Sequence, residues 1–132
     1  MLFRSENLGI LDKIVFAGVV MNANEYMMAM DVFVFPSLFE GFPVSVIEAE
    51  STGLPVVMSD TITTEVNLTD LIHRLSLKDN VGKWAKVICD ISPKDRRSYN
   101  QLIAGTQFNI KESVKHISNI YEEMMKKHKT YE

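Results

Sequence analysis

A parallel α/β sheet with helices on both faces is the fold class that this 132-residue sequence predicts, and three observations predict it. Short apolar runs alternate along the chain with longer amphipathic ones. The apolar runs KIVFAG, DVFVFP and PVVMS show no polar alternation, as befits strands buried on both faces. Proline and glycine mark the corners between runs. Strand–helix–strand order of this kind argues for parallel pairing with right-handed crossovers. In such sheets ligands bind beyond the carboxyl ends of the strands.

The elements follow in order. A short helical lead, MLFRSENLGI, precedes a first strand at Lys13–Gly18, ended by glycine. A short helix is expected from Asn24 to Met30, with Asn22 or Asn24 as N-cap. Asp31–Pro36 is the second strand, apolar on both faces. A helix runs from about Pro43 to Thr52, with Pro43 in the first helical position and Gly53 as its stop. Pro55–Ser59 is the third strand and Leu71–Leu77 the fourth. Helical patterns cover Asn80–Asp90, Pro93–Ala104 and Ile110–Lys127. Trp84, spaced with Val87 and Ile88, reads as a helix anchor on the sheet. Met21, Met27, Met28 and Met30 read as fillers of core gaps, and Cys89 as a buried, inert thiol. A doubly wound domain normally has more βα units before such a strand, so the chain is expected to be a piece of a longer protein.

Composition narrows the function classes. Hydrophobic residues are 46% and charged residues 23%, which is ordinary for a globular domain. A net charge of -3 gives no reason to expect nucleic acid. One cysteine cannot close an internal disulfide, and no Cys/His cluster suggests a metal, so neither metal nor cofactor is expected. MLFRSENLGILDK lacks the apolar core of a signal peptide. No run reaches the length a membrane-spanning helix needs. The expected location is the cytoplasm. Lys126-Lys127-His128-Lys129 reads as a solvated helix terminus, with peripheral contact at the inner membrane face as the lesser alternative.

The corner FPSLFEGFPVSVIEAESTGLP carries the chemistry. It stands at the carboxyl end of the second strand. The first-turn N–H groups around Val44 and Ser45, together with the helix dipole, suit an anion such as phosphate. Gly41 lets a ligand approach the backbone. Glu48 leans back toward the helix N-terminus, and Glu40 precedes the helix on its other side. Two carboxylates beside a phosphate would repel it unless each accepts hydrogen bonds from hydroxyls. A phosphate with hydroxyl-bearing groups on both sides describes a nucleotide sugar. The alternative without a ligand is that acids near a helix N-terminus simply stabilise its dipole. Glu50, roughly 200° around the helix from Glu48, reads as surface. Phe42 is read either as a sugar-pocket wall or as plain corner packing.

The run AMDVFVFPSLFEGFPVSVIEAESTGLPVVMSD resembles the nucleotide-binding, C-terminal half of retaining glycosyltransferases of family four, on the GT-B fold. The hallmark is Glu-x7-Glu, here Glu40 and Glu48, set in PSxxEGFPxxxxEA. Upstream IVFAGVVMNANEYMMAMD matches too, and SDTITTEVNLTD and the closing NIKESVKHISNIYEEM are similar to enzymes that build bacterial capsule and exopolysaccharide. The resemblance implies residues 1–132 are part of a C-terminal domain whose N-terminal acceptor domain is absent. It implies that Glu40 is the catalytic-site residue on the donor sugar. Backbone groups of Gly41, Phe42, Pro43, Val44 and Ser45 would hold the sugar and diphosphate, and Glu48 the ribose. Gly18-Val19-Val20 would lie near the base, with Val20 where many relatives carry a basic residue. The subgroup points to a uridine diphosphate sugar as donor and a glycan or lipid-linked acceptor, with no metal. The family's Arg/Lys pair belongs to an earlier βα unit with no counterpart here.

Other readings remain at this stage. A glycoside hydrolase would use Glu40 and Glu48 as paired carboxylates, about 5–9.5 Å apart across a scissile bond. A non-catalytic nucleotide-sugar binding module fits the missing half. Apolar surface left by absent units would favour self-association.

Overall fold

The computed structural model describes residues 2–92 and 95–129. Strands β1 (Phe33–Phe35), β2 (Val56–Ser59) and β3 (Ile72–Leu75) form one parallel sheet in the order β1-β2-β3. The register runs from Phe33↔Val56 to Phe35↔Met58, and from Val56↔Ile72 to Ser59↔Leu75. All four residues of β2 are fully buried, so both faces of the central strand are covered. Its uninterrupted apolar sequence called for that. Around the sheet stand α1 (Leu2–Asn7), α2 (Ala23–Ala29), α3 (Val44–Ser51), α4 (Val81–Asp90), α5 (Tyr99–Ala104) and α6 (Ile110–Lys129). The core gathers Met27, Val46, Ile47, Ala49, Leu54, Val56, Met58, Ile62, Val66 and Ile103.

The α3 crossover joins β1 to β2, and its sequence dictates which face it buries. At 100° per residue, Val46, Ile47, Ala49 and Glu50 fall on one side, and all four are buried. The helix stops in a Schellman motif. Leu54 N–H donates to Ala49 O at 3.0 Å, and Gly53 N–H to Glu50 O at 2.9 Å. Gly53 takes φ +69°, and a Cβ there would lie 2.7 Å from the Arg96 Cβ. Glycine is therefore required twice over, for its backbone and for its missing side chain.

Four expectations are corrected. Lys13–Gly18 is not a strand: Leu11–Lys13 form a 3-10 turn, and the following residues join no ladder. Val15 is 90% exposed. The sequence has strand character but no neighbour among the described residues to pair with it. Glu50 is not surface but fully buried. If Glu48 faces solvent, a residue about 200° away faces the core. Cys89 is exposed, because α4 turns Trp84, Val87 and Ile88 inward and puts position 89 on the opposite side. Of the four methionines only Met27 is buried.

Smaller differences are local. Asn22 occupies the N-cap position of α2, but its side-chain amide donates to Glu25 Oε2 at 2.6 Å instead of capping the helix. Asn80 does cap α4, accepting from Lys83 N–H at 2.8 Å. The Trp84 indole donates to Ser76 O at 3.1 Å, so it anchors α4 to the turn after β3. Of the helix expected over Pro93–Ala104, the expected start lies outside the described residues, and the rest is a 3-10 turn at Arg96–Ser98 leading into α5.

Glu50 ties α3 to the segment before β3. Its Oε1 accepts from Leu68 N–H (3.2 Å), Thr69 N–H (2.8 Å) and Thr69 Oγ1 (2.7 Å). Its Oε2 is buried with no partner. Desolvation pushes its pKa above the ordinary 4.5, and the Thr69 and Leu68 hydrogen bonds offset this only in part.

Gly53→Ala should lower unfolding free energy in urea by about 1–3 kcal/mol through left-handed strain alone, and by more if Arg96 must shift. Glu50 has a folded pKa above its unfolded one, so its favourable contribution is complete at acidic pH and is lost as pH rises through the raised value. Glu50→Gln, which mimics the protonated acid, should therefore gain stability relative to wild type as pH climbs from 4.5 toward neutrality. Glu50→Ala should cost at least about 2 kcal/mol at every pH, because buried N–H groups lose their acceptor. Parallel curves for wild type and Glu50→Gln across that range would contradict the assignment.

Candidate functional site

The corner begins where β1 ends. Ser59, the last residue of β2, is fully buried, and its hydroxyl donates to the Ser37 carbonyl. Thr61 Oγ1 donates to the same carbonyl at 3.3 Å and lies 3.1 Å from Ser59 Oγ. Ser37 is thus tied to the neighbouring strand through its backbone. Its own hydroxyl donates to Glu40 Oε1 at 2.7 Å, with Phe39 O a longer second acceptor at 3.2 Å. Glu40 is half-buried.

Gly41 is exposed, and a Cβ there would meet no atom within 4 Å. The corner is open at that point. Phe42 stacks on Phe108 with ring centroids 5.5 Å apart and planes at 22°. It therefore packs the corner, while 39% of its surface stays exposed. Pro43 is buried and is the N-cap rather than the first helical residue, with φ −80° and ψ 89°. Val44 N–H donates to Phe42 O and Val46 N–H to Pro43 O, both at 3.0 Å. Among the described residues no acceptor takes the Ser45 N–H.

Glu48 is exposed, on the solvent stripe it shares with Val44 one turn earlier. It stands about 6 Å up the axis, and its side chain leans back toward the helix N-terminus. Among the described residues neither Glu40 nor Glu48 forms an ion pair. Glu40, Gly41, Pro43, Val44, Ser45 and Glu48 thus share the carboxyl end of the sheet. Val19 is 98% exposed, on the segment that forms no strand.

Residues that the sequence reading passed over shape the rim. Ser37, Ser59 and Thr61 form its hydroxyl tie. The signal was present, since PS and SDT follow the apolar cores of two adjacent parallel strands. Arg74 on β3 clamps the loop after β2, donating from Nη1 to Ile62 O (2.7 Å) and from Nη2 to Thr63 O (2.6 Å) and Asn67 Oδ1 (2.9 Å). No spacing rule would have flagged this.

A parallel sheet whose first crossover helix opens between two acids at the carboxyl rim defines a Rossmann-like domain, of the class that binds ligands there. Comparison with known proteins supplies the family. Residues 2–93 match the family model described as "Glycosyl transferases group 1". The chain belongs to this family, and its sheet fits the GT-B, family-four build. It is 36% identical over 123 residues to the putative glycosyltransferase EpsF of Bacillus subtilis (strain 168), covering 89% of this chain and 31% of that protein. It is 31% identical over 131 residues to the lipopolysaccharide core biosynthesis mannosyltransferase LpsB of Rhizobium meliloti (strain 1021), covering 93% and 37%. It is 30% identical over 106 residues to the UDP-Gal:alpha-D-GlcNAc-diphosphoundecaprenol alpha-1,3-galactosyltransferase of Escherichia coli, covering 75% and 27%. The chain spans about a third of the length of these relatives. No solved structure matches it. Among the described residues no helix is long and apolar enough to cross a membrane.

The Arg74 clamp carries its own prediction. Arg74→Met should keep the aliphatic stem but release the loop at Ile62, Thr63 and Asn67. Hydrogen exchange at the Asn67 amide, which donates to Thr64 O at 3.0 Å, should speed up about tenfold or more, the worth of a charged hydrogen bond. Unchanged exchange would show that the loop holds itself.

Proposed function

We propose that this chain is the donor-binding portion of a retaining glycosyltransferase that moves a sugar from a nucleotide sugar to a glycan or lipid-linked acceptor in polysaccharide biosynthesis. The observation that carries the reading is the corner itself, an open helix N-terminus between Glu40 and Glu48 at the carboxyl end of the sheet. The ribose hydroxyls bind Glu48, the diphosphate takes the first-turn N–H groups around Ser45, and Glu40 accepts from hydroxyls of the donor sugar. When the bond from the anomeric carbon to the phosphate breaks, charge collects on the leaving diphosphate, and fixed N–H donors stabilise it. The acceptor oxygen bonds to the anomeric carbon on the same face and gives up its proton to the leaving diphosphate. A uridine carrier is favoured because one relative is named for a UDP-galactose donor.

In this reading residues 1–132 are part of a C-terminal domain, and the acceptor domain and the family's Arg/Lys pair are supplied by polypeptide beyond these residues. Its span of about a third of its relatives also favours a second reading, a nucleotide-sugar binding module without turnover. Sugar transfer to acceptor by this chain unaided would exclude both the module and the partial-domain reading.

Calorimetry with uridine diphosphate and UDP-galactose tests the donor site. Glu48→Gln should weaken both ligands by about tenfold, and Glu40→Gln only the nucleotide sugar by a similar factor. Equal affinities in wild type and both variants would sink the assignment, as would a wild-type chain that binds neither ligand.

A further inference from the structure

We propose that Ser37 is the positioning residue for the Glu40 carboxylate, aimed in turn by the Ser59 and Thr61 hydroxyls of the adjacent strand end. Its consequence for sugar binding rests on the donor-site reading above; the positioning itself does not.

Glu40 sits in a glycine-flanked corner with no helix or strand to fix its side chain. A glutamate there would sample several rotamers unless something held it. The hydroxyl of Ser37 does so at 2.7 Å, a charge-assisted bond short enough to outweigh that freedom. Ser37 can aim its hydroxyl because its carbonyl is pinned by Ser59 and Thr61. Ser59 cannot swing away, being fully buried at the end of the central strand. The chain of contacts thus transmits the rigidity of β2 to a half-buried carboxylate on the rim.

The arrangement also divides the carboxylate. Oε1 already accepts from Ser37, while Oε2 accepts from none of the described residues. Oε2, with the remaining lone pair of Oε1, is the face offered to a sugar. A simpler account treats the Ser37–Glu40 bond as a local turn contact that merely shapes the corner. The two differ in a testable way, because the corner is tied through the Ser37 carbonyl, which Ser37→Ala retains.

The first measurement needs no ligand. Three-bond couplings across the Glu40 side chain, read with labelled glutamate, should report one dominant rotamer in wild type and averaged values in Ser37→Ala. Ser37→Thr should restore the single rotamer. The second measurement uses ligand. Ser37→Ala should weaken UDP-galactose about fivefold and leave uridine diphosphate unchanged, and should add no loss in a Glu40→Gln background. A Glu40 rotamer that stays fixed in Ser37→Ala overturns the proposal, as does an equal loss for both ligands. If wild type binds neither ligand, the donor-site reading fails, and the coupling result alone supports or overturns the positioning.

Discussion

The burial of β2 on both faces is the constraint on which this domain depends. A strand with no exposed surface cannot leave its N–H and C=O groups to water, so each must be paired. Parallel ladders to β1 and β3 meet that demand and fix the register of both. Once the register is fixed, so are the strand ends, and the ends make the rim. Ser59 is the point where this rigidity reaches the rim. It is the last residue of the buried strand, and its hydroxyl holds the carbonyl from which the Glu40 corner is built.

Two acids on α3 show how one helix serves the core and the rim. Glu48 and Glu50 are two residues apart and so lie on opposite sides. Glu50 is buried and serves as an acceptor, binding three donors of the segment before β3 through a single oxygen. Its cost appears in the raised pKa and in the unpartnered Oε2. Glu48 is exposed and available at the surface. The same side chain thus does structural work at one position and is free for a ligand at the other, and only the direction each faces separates them.

Where the sequence was legible, a strong periodic or steric signal stood behind each element. The uninterrupted apolar run of PVVMS announced a buried strand. The Gly53 stop and the Glu40–Glu48 corner were readable because glycine, proline and helix-initiating geometry have few uses. The rest was hidden for physical reasons. Glu50 looked like surface because charge usually faces water, and its partners, the Thr69 hydroxyl and two backbone N–H groups, lie eighteen and nineteen residues away. Arg74 acts on backbone carbonyls, which no sequence displays. Ser37, Ser59 and Thr61 are small polar residues whose meaning depends on two strand ends being adjacent, and that is known only once the ladder is.

The segment after Lys13 shows most plainly that strand sequence is a conditional instruction. Its residues resemble those of β1 and β2 in hydrophobicity and branching, and Ile14 even has extended backbone angles, φ −119° and ψ 130°. Yet Val15 is almost wholly exposed. Strand preference chiefly measures how well a side chain packs against neighbours on a pleated surface, and among the described residues this segment has no such surface. The same condition governs β1, which among the described residues is paired on one side only and carries a half-open Val34 at its centre. An apolar strand edge of this kind is a template for a further strand. The rim is therefore firmest where β2 supports it, at Ser37 and Glu40, and the segment around Val15 and Val19, which joins no ladder, lacks that support.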